Sequence, residues 1–110
     1  MNSRDKGARG EREAAEHLGK VFGWACIRGQ QRSGTECADV LGPDWLHLEV
    51  KRTESLRLHD ALEQAKRDAK PGQIPVVMYR RNRSDWVWIV ATADVPRFVE
   101  LCYLEAAKGT

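Results

Sequence analysis

The sequence has no long apolar run. None of its apolar segments approaches the ~20 residues that a helix needs to cross a bilayer. Its N-terminus is polar and basic and has no apolar signal-peptide segment. We therefore expect a protein that has no membrane span, is not secreted and works in the cytoplasm.

Cysteine is scarce. The chain has three, Cys26, Cys37 and Cys102, and no pair has the C-x-x-C spacing. An odd number without that spacing argues against a zinc ribbon and against a disulfide framework, so a reducing compartment fits better. We interpret the three cysteines as small apolar residues inside the fold.

Internal repeats, low-complexity segments and linkers are also absent from the 110 residues. A chain of this length buries roughly two thirds of the surface that it exposes when unfolded, which is enough for one core. With 42% hydrophobic and 31% charged residues, the composition is that of an ordinary soluble globular protein. We predict a single domain that spans residues 1–110.

The net charge is small, +2 from 18 Lys plus Arg against 16 Asp plus Glu, so bulk charge excludes little. The distribution is more informative, because a locally basic surface is compatible with nucleic-acid binding. Solvated surface charge is the ordinary alternative for such clusters. They are Arg4-Lys6-Arg9-Arg12, Arg28 with Arg32, Lys51-Arg52, Lys66-Arg67-Lys70 and Arg80-Arg81-Arg83.

Hydrophobic periodicity and turn residues predict the order helix, three strands, helix, two strands, helix. The helices are predicted over 7–22, from about 58 to the residues before Pro71, and after Asp94, which we expect to cap the last helix. The strands are predicted at 24–28, 37–41, 45–51, 74–79 and 86–90. This order predicts an α/β fold with a single mixed sheet of about five strands flanked by helices.

The strand predicted at 45–51 carries the most informative pattern in the chain. Its side chains alternate, so Leu46, Leu48 and Val50 share one face and His47, Glu49 and Lys51 share the other. A second carboxylate, Asp39, is expected to approach from the preceding strand. Two carboxylates can hold a divalent ion that polarises a phosphate and activates water, and a nearby lysine can neutralise developing charge. The pattern therefore indicates nuclease chemistry.

A third carboxylate lies on the first helix. Glu11 is four residues before Ala15, so it extends the predicted core-facing stripe of Ala15, Leu18 and Phe22. Such a carboxylate is costly unless it is exposed, paired or directed at a cation. The plainer alternative for Glu49 and Lys51 is two solvated charges on the wet face of a strand.

Three segments resemble motifs of one nuclease family. Residues 6–13 read K-G-A-R-G-E-R-E, residues 32–39 read R-S-G-T-E-C-A-D, and residues 49–51 read E-V-K. Together they are similar to the PD-(D/E)XK nuclease superfamily and, within it, to the archaeal-type Holliday junction resolvases, including viral relatives. Ala38 stands where the superfamily name has proline, and the loop from 29 to 35 is longer than in some relatives. The resemblance implies a restriction-endonuclease-like fold.

The resemblance also implies roles for individual residues. The catalytic residues would be Glu11, Asp39, Glu49 and Lys51. The metal ligands would be Asp39, Glu49 and the Val50 backbone carbonyl, with Glu11 contributing through a water. Arg28 competes with Arg32 for one phosphate-contacting role. The DNA-binding residues would be Arg9, Arg12, Arg28, Arg32, Ser33, Thr35, Arg52 and Gln64.

Two of these neighbours have open alternatives. Gln64, on the second predicted helix, either contacts the site, as a helix glutamine does in some superfamily members, or is a solvated helix residue. His47 shares the face of Glu49, so it could be interpreted as a metal ligand or as a general base. We favour a sheet-face residue near DNA or near the first helix.

The function implied by the resemblance is metal-dependent cleavage of four-way DNA junctions. The cofactor would be Mg²⁺ or Mn²⁺, the partner branched DNA, and the assembly a homodimer that makes paired symmetric nicks. If the chain is viral, it would act in the host cytoplasm. One alternative is a nuclease that acts on other branched, nicked or linear DNA. Another is a DNA-binding module without catalysis.

Overall fold

The computed structural model describes residues 3–24, 26–28 and 40–108. Within these ranges three strands follow the first helix, and two strands lie between the second helix and the last. The elements are α1 (Ser3–Phe22), β1 (Ile27–Arg28), β2 (Val40–Leu41), β3 (Leu46–Arg52), α2 (Leu58–Asp68), β4 (Ile74–Arg80), β5 (Val87–Val90), a 3₁₀ turn (Thr92–Asp94) and α3 (Val95–Ala107). The predicted α/β fold with a mixed sheet and flanking helices is confirmed.

The described strands lie in the spatial order β1-β2-β3-β4-β5. The centre of the sheet is the parallel pair β3 and β4, which stays in register from Leu46 opposite Ile74 to Arg52 opposite Arg80. The other described pairs are antiparallel. Parallel neighbours need a crossover connection, and α2 supplies it by lying across one face of the sheet. β3 therefore lies between β2 and β4, and its C-terminal end is paired with β4.

Each face of the sheet has its own apolar cluster. On one face, Leu46 and Leu48 pack with Ala14 and Leu18 of α1, and side chains of α3 lie against the same cluster. On the other face, Val77 packs with the buried side of α2, which consists of Ala61, Leu62 and Ala65. The alternation of β3 therefore sends its apolar side chains toward α1. Its polar side chains face α2.

The core-facing stripe of α1 differs from the predicted one. The buried positions are Gly10, Ala14 and Leu18, whereas Ala15 is half-buried and Phe22 is exposed. Gly10 explains the shift, because a Cβ there would lie only 2.7 Å from the Cβ of Arg52 on β3. A search for apolar residues at helical spacing passes over glycine. Here the missing side chain of Gly10 lets α1 approach β3 closely.

Several element boundaries also differ from the sequence-based expectations. α1 begins at Ser3, before the predicted start, and β1 is confined to Ile27–Arg28. Asp94 occupies the N-cap position of α3, but its side chain makes no capping hydrogen bond. Among the helices in the described ranges, none combines the length and the apolar character needed to span a membrane.

Candidate active site

The polar face of β3 is covered rather than open. His47 and Glu49 are only 2% and 3% exposed, and Lys51 is half-buried. Their cross-strand neighbours on β4 are Pro75, Val77 and Tyr79. The interpretation of His47 as a residue near the first helix is wrong, because α1 packs on the opposite face of the sheet.

His47 and Glu49 form a buried pair. The His47 Nε2 atom lies 2.8 Å from Glu49 Oε1. Because an ionised carboxylate can only accept, the imidazole N–H is the donor in this hydrogen bond. Residues two apart on a strand share a face, which explains why the sequence brings them together. A buried carboxylate without a partner is costly, so this bond helps to keep Glu49 inside the fold.

Asp68, in the last turn of α2, approaches the same pair. One ligand atom from each of His47, Glu49 and Asp68 lies within 4.8 Å of the other two. Two carboxylates at this separation repel each other unless a cation or a proton lies near them. Carboxylate oxygens are also the ligands that Mg²⁺ and Mn²⁺ prefer. The donor set therefore suits a hard divalent ion through its oxygen atoms.

Lys51 is held by α2. Its Nζ donates a 3.1 Å hydrogen bond to Oε1 of Gln64. Gln64 and Asp68 are four residues apart, so both lie on the side of α2 that faces the polar side chains of β3. The helix thus places an amide beside the lysine and a carboxylate beside Glu49.

The face of the sheet that α1 covers carries an arginine cluster around one carboxylate. Glu13 of α1 lies 3.3 Å from the guanidinium nitrogens of Arg9 and Arg52 and 3.5 Å from that of Arg80. Arg52 and Arg80 are register partners at the ends of β3 and β4. Three guanidinium groups on one carboxylate leave a net positive charge within this set of four residues. We name this set the Glu13 cluster.

A cleft of about 300 Å³ adjoins the Glu13 cluster, between α1 and the turn after β4. It lies on the face away from Glu49. Its charged lining combines Glu13, Glu16 and Asp85 with Lys20 and Arg80, so neither sign dominates. Arg80 also lies 6.0 Å from the Trp86 ring centroid. These contacts organise the surface, and we assign no chemistry to the cleft.

The structure does not place every predicted site residue. Glu11 is half-buried on α1 and is not a member of the group formed by His47, Glu49 and Asp68. Arg12 is exposed on the same helix, and the Val50 side chain packs against the core. The roles of all three stay predictions. The predicted residues Arg32, Ser33, Thr35 and Asp39, and the side chain of Arg28, lie outside the described residues.

Sequence reasoning missed Asp68 and Glu13. The signal for Asp68 was present, because it follows Gln64 by one helical turn. For Glu13 the same spacing indicated only Arg9, because Arg52 and Arg80 come from other elements. Of the cysteines predicted to lie inside the fold, Cys26 and Cys102 are half-buried, and Cys26 packs against the core. Burial raises the pKa of the Cys26 and Cys102 thiols, which makes them poor nucleophiles.

Solved structures of known proteins match this chain, and one of them bears on its function. The fold is similar to that of Archaeoglobus fulgidus Hjc, a Holliday junction resolvase from an archaeal hyperthermophile. The TM-score is 0.57, the sequence identity is 28%, and the match covers 74% of each chain. No family model and no curated protein matches the chain. The resemblance to archaeal-type Holliday junction resolvases that the sequence motifs predicted is confirmed.

Proposed function

We propose that this chain is a structure-selective, metal-dependent endodeoxyribonuclease that resolves four-way DNA junctions by paired symmetric nicks. One observation carries the proposal. Glu49 and Lys51 share one face of β3, and the fold that holds them is similar to that of a Holliday junction resolvase. We propose that the similarity extends to a restriction-endonuclease-like architecture of the whole domain.

The residues present fit a divalent metal ion. Glu49 supplies a carboxylate, Asp68 lies close to it, and oxygen donors are what Mg²⁺ and Mn²⁺ require. In the proposal the ion is held by Asp39, Glu49 and the Val50 carbonyl, with Glu11 contributing through a water. When bound, the ion would polarise the scissile phosphate and lower the pKa of a water.

Lys51 would supply a positive charge from the protein beside the scissile phosphate. Its ammonium would stabilise the negative charge that develops on the phosphate as water attacks. The hydrogen bond to Gln64 limits the rotamers of a long and flexible side chain. We propose that Gln64 acts by holding the amine in place, so that less ordering is needed when DNA binds.

Arginines would contact the DNA backbone on either side of this centre. Arg9 and Arg52 belong to the Glu13 cluster and Arg12 is exposed nearby on α1, and we propose all three as phosphate contacts. Phosphate contacts fix the position of a protein on DNA without reading sequence, which suits recognition of a junction by shape. In the same proposal, Arg28, Arg32, Ser33 and Thr35 contact the strand that is cut.

Two symmetric incisions need two active sites. One chain supplies one set of Glu49 and Lys51, so we propose a homodimer with two-fold symmetry. Sedimentation equilibrium would test this directly. A protein that remains a monomer when bound to a junction would contradict it.

The activity is tested with a synthetic four-way junction and a duplex of equal length, each with Mg²⁺ and with EDTA. We expect paired symmetric nicks on the junction alone, and only with the metal. Asp39→Asn and Glu49→Gln should abolish cutting while junction binding survives. The matched control is Glu100→Gln, an acid exposed on α3, which should cut normally.

The outcomes separate the proposal from its alternatives. Equal cutting of the duplex would favour a nuclease for other branched, nicked or linear DNA. Magnesium-independent binding without cleavage of any substrate would favour a DNA-binding module without catalysis. Normal cutting by Glu49→Gln would remove the proposed site.

A further inference from the structure

We infer that His47 is a positioning residue that fixes the Glu49 carboxylate in the orientation needed to bind the metal ion. The inference rests on the proposed function of Glu49 as a metal ligand. The geometry that carries it is a buried 2.8 Å hydrogen bond from His47 Nε2 to Glu49 Oε1.

The pair is held firmly because its surroundings are packed. On β4, the register partners of His47 and Glu49 are Pro75 and Val77, and both are buried. Val77 in turn packs against Ala65 of α2, which has no exposed surface. Neither the imidazole nor the carboxylate can rotate into solvent without disturbing this packing.

The hydrogen bond gives the two carboxylate oxygens different roles. With its proton on Nε2 the imidazole donates to Oε1, so Oε2 would be the oxygen left to hold the ion. Carboxylates that ligate metals are commonly hydrogen-bonded in this way, and removing the partner usually weakens metal binding by about 10- to 100-fold. His47 would therefore set the direction of the metal-binding oxygen without touching the ion.

His47 could instead bind the ion itself, together with Glu49 and Asp68. The geometry argues against this, because Nε2 is already directed at Oε1. The chemistry argues against it too, since Mg²⁺ and Mn²⁺ favour oxygen over imidazole nitrogen in such sites. A ligand and a hydrogen-bond donor respond differently to replacement by glutamine, so an experiment can separate them.

The experiment compares three variants with the wild type by calorimetric titration of the DNA-free protein with Mn²⁺ alone. His47→Gln keeps an N–H donor near the position of Nε2, whereas His47→Leu and His47→Met remove it. We expect the two apolar variants to bind Mn²⁺ about 10-fold or more weakly, and His47→Gln to stay within about 3-fold of the wild type. Thermal melts select the apolar variant that remains folded, and Met offers a flexible side chain if Leu does not fit.

Cleavage of the junction at increasing Mn²⁺ provides the second measurement. The folded apolar variant should need about 10-fold more Mn²⁺ for half-maximal cutting, with a smaller change in the rate at saturating metal. Unchanged Mn²⁺ binding by that variant would overturn the inference. Equal losses in His47→Gln and the apolar variants would also overturn it, in favour of a direct ligand.

Glu49→Gln separates this inference from the proposed function. If it abolishes Mn²⁺ binding while the wild type cuts no DNA, the proposed function fails and the role of His47 stands. If the wild type cuts junctions but its Mn²⁺ binding does not depend on Glu49, the role of His47 fails and the nuclease activity stands.

Discussion

Glu49→Gln should stabilise the metal-free protein, although it removes the central residue of the proposed site. In the wild type, Glu49 is 3% exposed, and one of its carboxylate oxygens lies within 4.8 Å of a carboxylate oxygen of Asp68. At an effective dielectric of about 20, two unit charges at that distance repel by about 3 kcal/mol. Asp68 is half-exposed, so solvent screening reduces the repulsion to roughly 1–2 kcal/mol.

Two further effects act in opposite directions. Glutamine keeps an oxygen that accepts the His47 hydrogen bond, but a neutral acceptor makes that bond weaker by about 1 kcal/mol. Against this loss, the burial of a charge is relieved; because pairing already offsets most of that cost in the wild type, the relief is about 1 kcal/mol. We expect a net increase of about 1–2 kcal/mol in the free energy of unfolding. For a domain of this size, each kcal/mol raises Tm by about 4 °C.

The assay is urea unfolding of both proteins in EDTA, with Glu100→Gln as the exposed control that should change stability by less than about 0.5 kcal/mol. Saturating Mn²⁺ should reverse the order, because only the wild type gains stability from ion binding, about 2.7 kcal/mol at 100 times Kd. A loss of more than about 1 kcal/mol for Glu49→Gln in EDTA would refute the reasoning. Glu49 would then be an anchor of the fold rather than a functional residue held at a cost in stability.

Three further predictions concern the neighbourhood of the site. Gly10→Ala places a Cβ 2.7 Å from the Cβ of Arg52, so despite its better helix propensity it should destabilise the protein by about 1 kcal/mol in urea. Gln64→Ala frees the Lys51 amine and should lower the junction-cleavage rate several-fold at unchanged unfolding free energy. An unchanged rate would show that the hydrogen bond to Lys51 does not contribute to cleavage. Because burial raises the pKa of the Cys26 thiol, less of it is thiolate at pH 8 than in a free cysteine. Peptide mapping should therefore show that Cys26 is alkylated more slowly than free cysteine, and that its alkylation rate increases with pH.

The pattern of β3 shows how far sequence reasoning reaches. Strict alternation correctly predicted that Leu46 and Leu48 share one face and that His47 and Glu49 share the other. It did not predict that the second face is covered by a helix, since a strand pattern identifies which side chains are neighbours but not what lies above them. His47 was therefore expected near DNA or the first helix, whereas it is buried on the face that α2 covers rather than on the face of α1.

The first helix shows the same limit for a different reason. The apolar positions indicated Ala15, Leu18 and Phe22 as the core-facing stripe, whereas the buried positions are Gly10, Ala14 and Leu18. A rotation of the helix by one position follows from the close approach at Gly10, which depends on the Arg52 side chain of another element. Glu11 thereby lies beside the buried stripe rather than on it.

The sequence by itself determined the order of the elements, the shared face of Glu49 and Lys51 and the resemblance to resolvases, because each depends on residue spacing or on local motifs. Only the tertiary structure decided that Asp68 joins His47 and Glu49 and that Glu13 gathers arginines from three elements. Apart from the Arg9–Glu13 pair within α1, the contacts that bring these groups together join residues from different elements. Their distances depend on how the helices pack on the sheet, which no local pattern specifies.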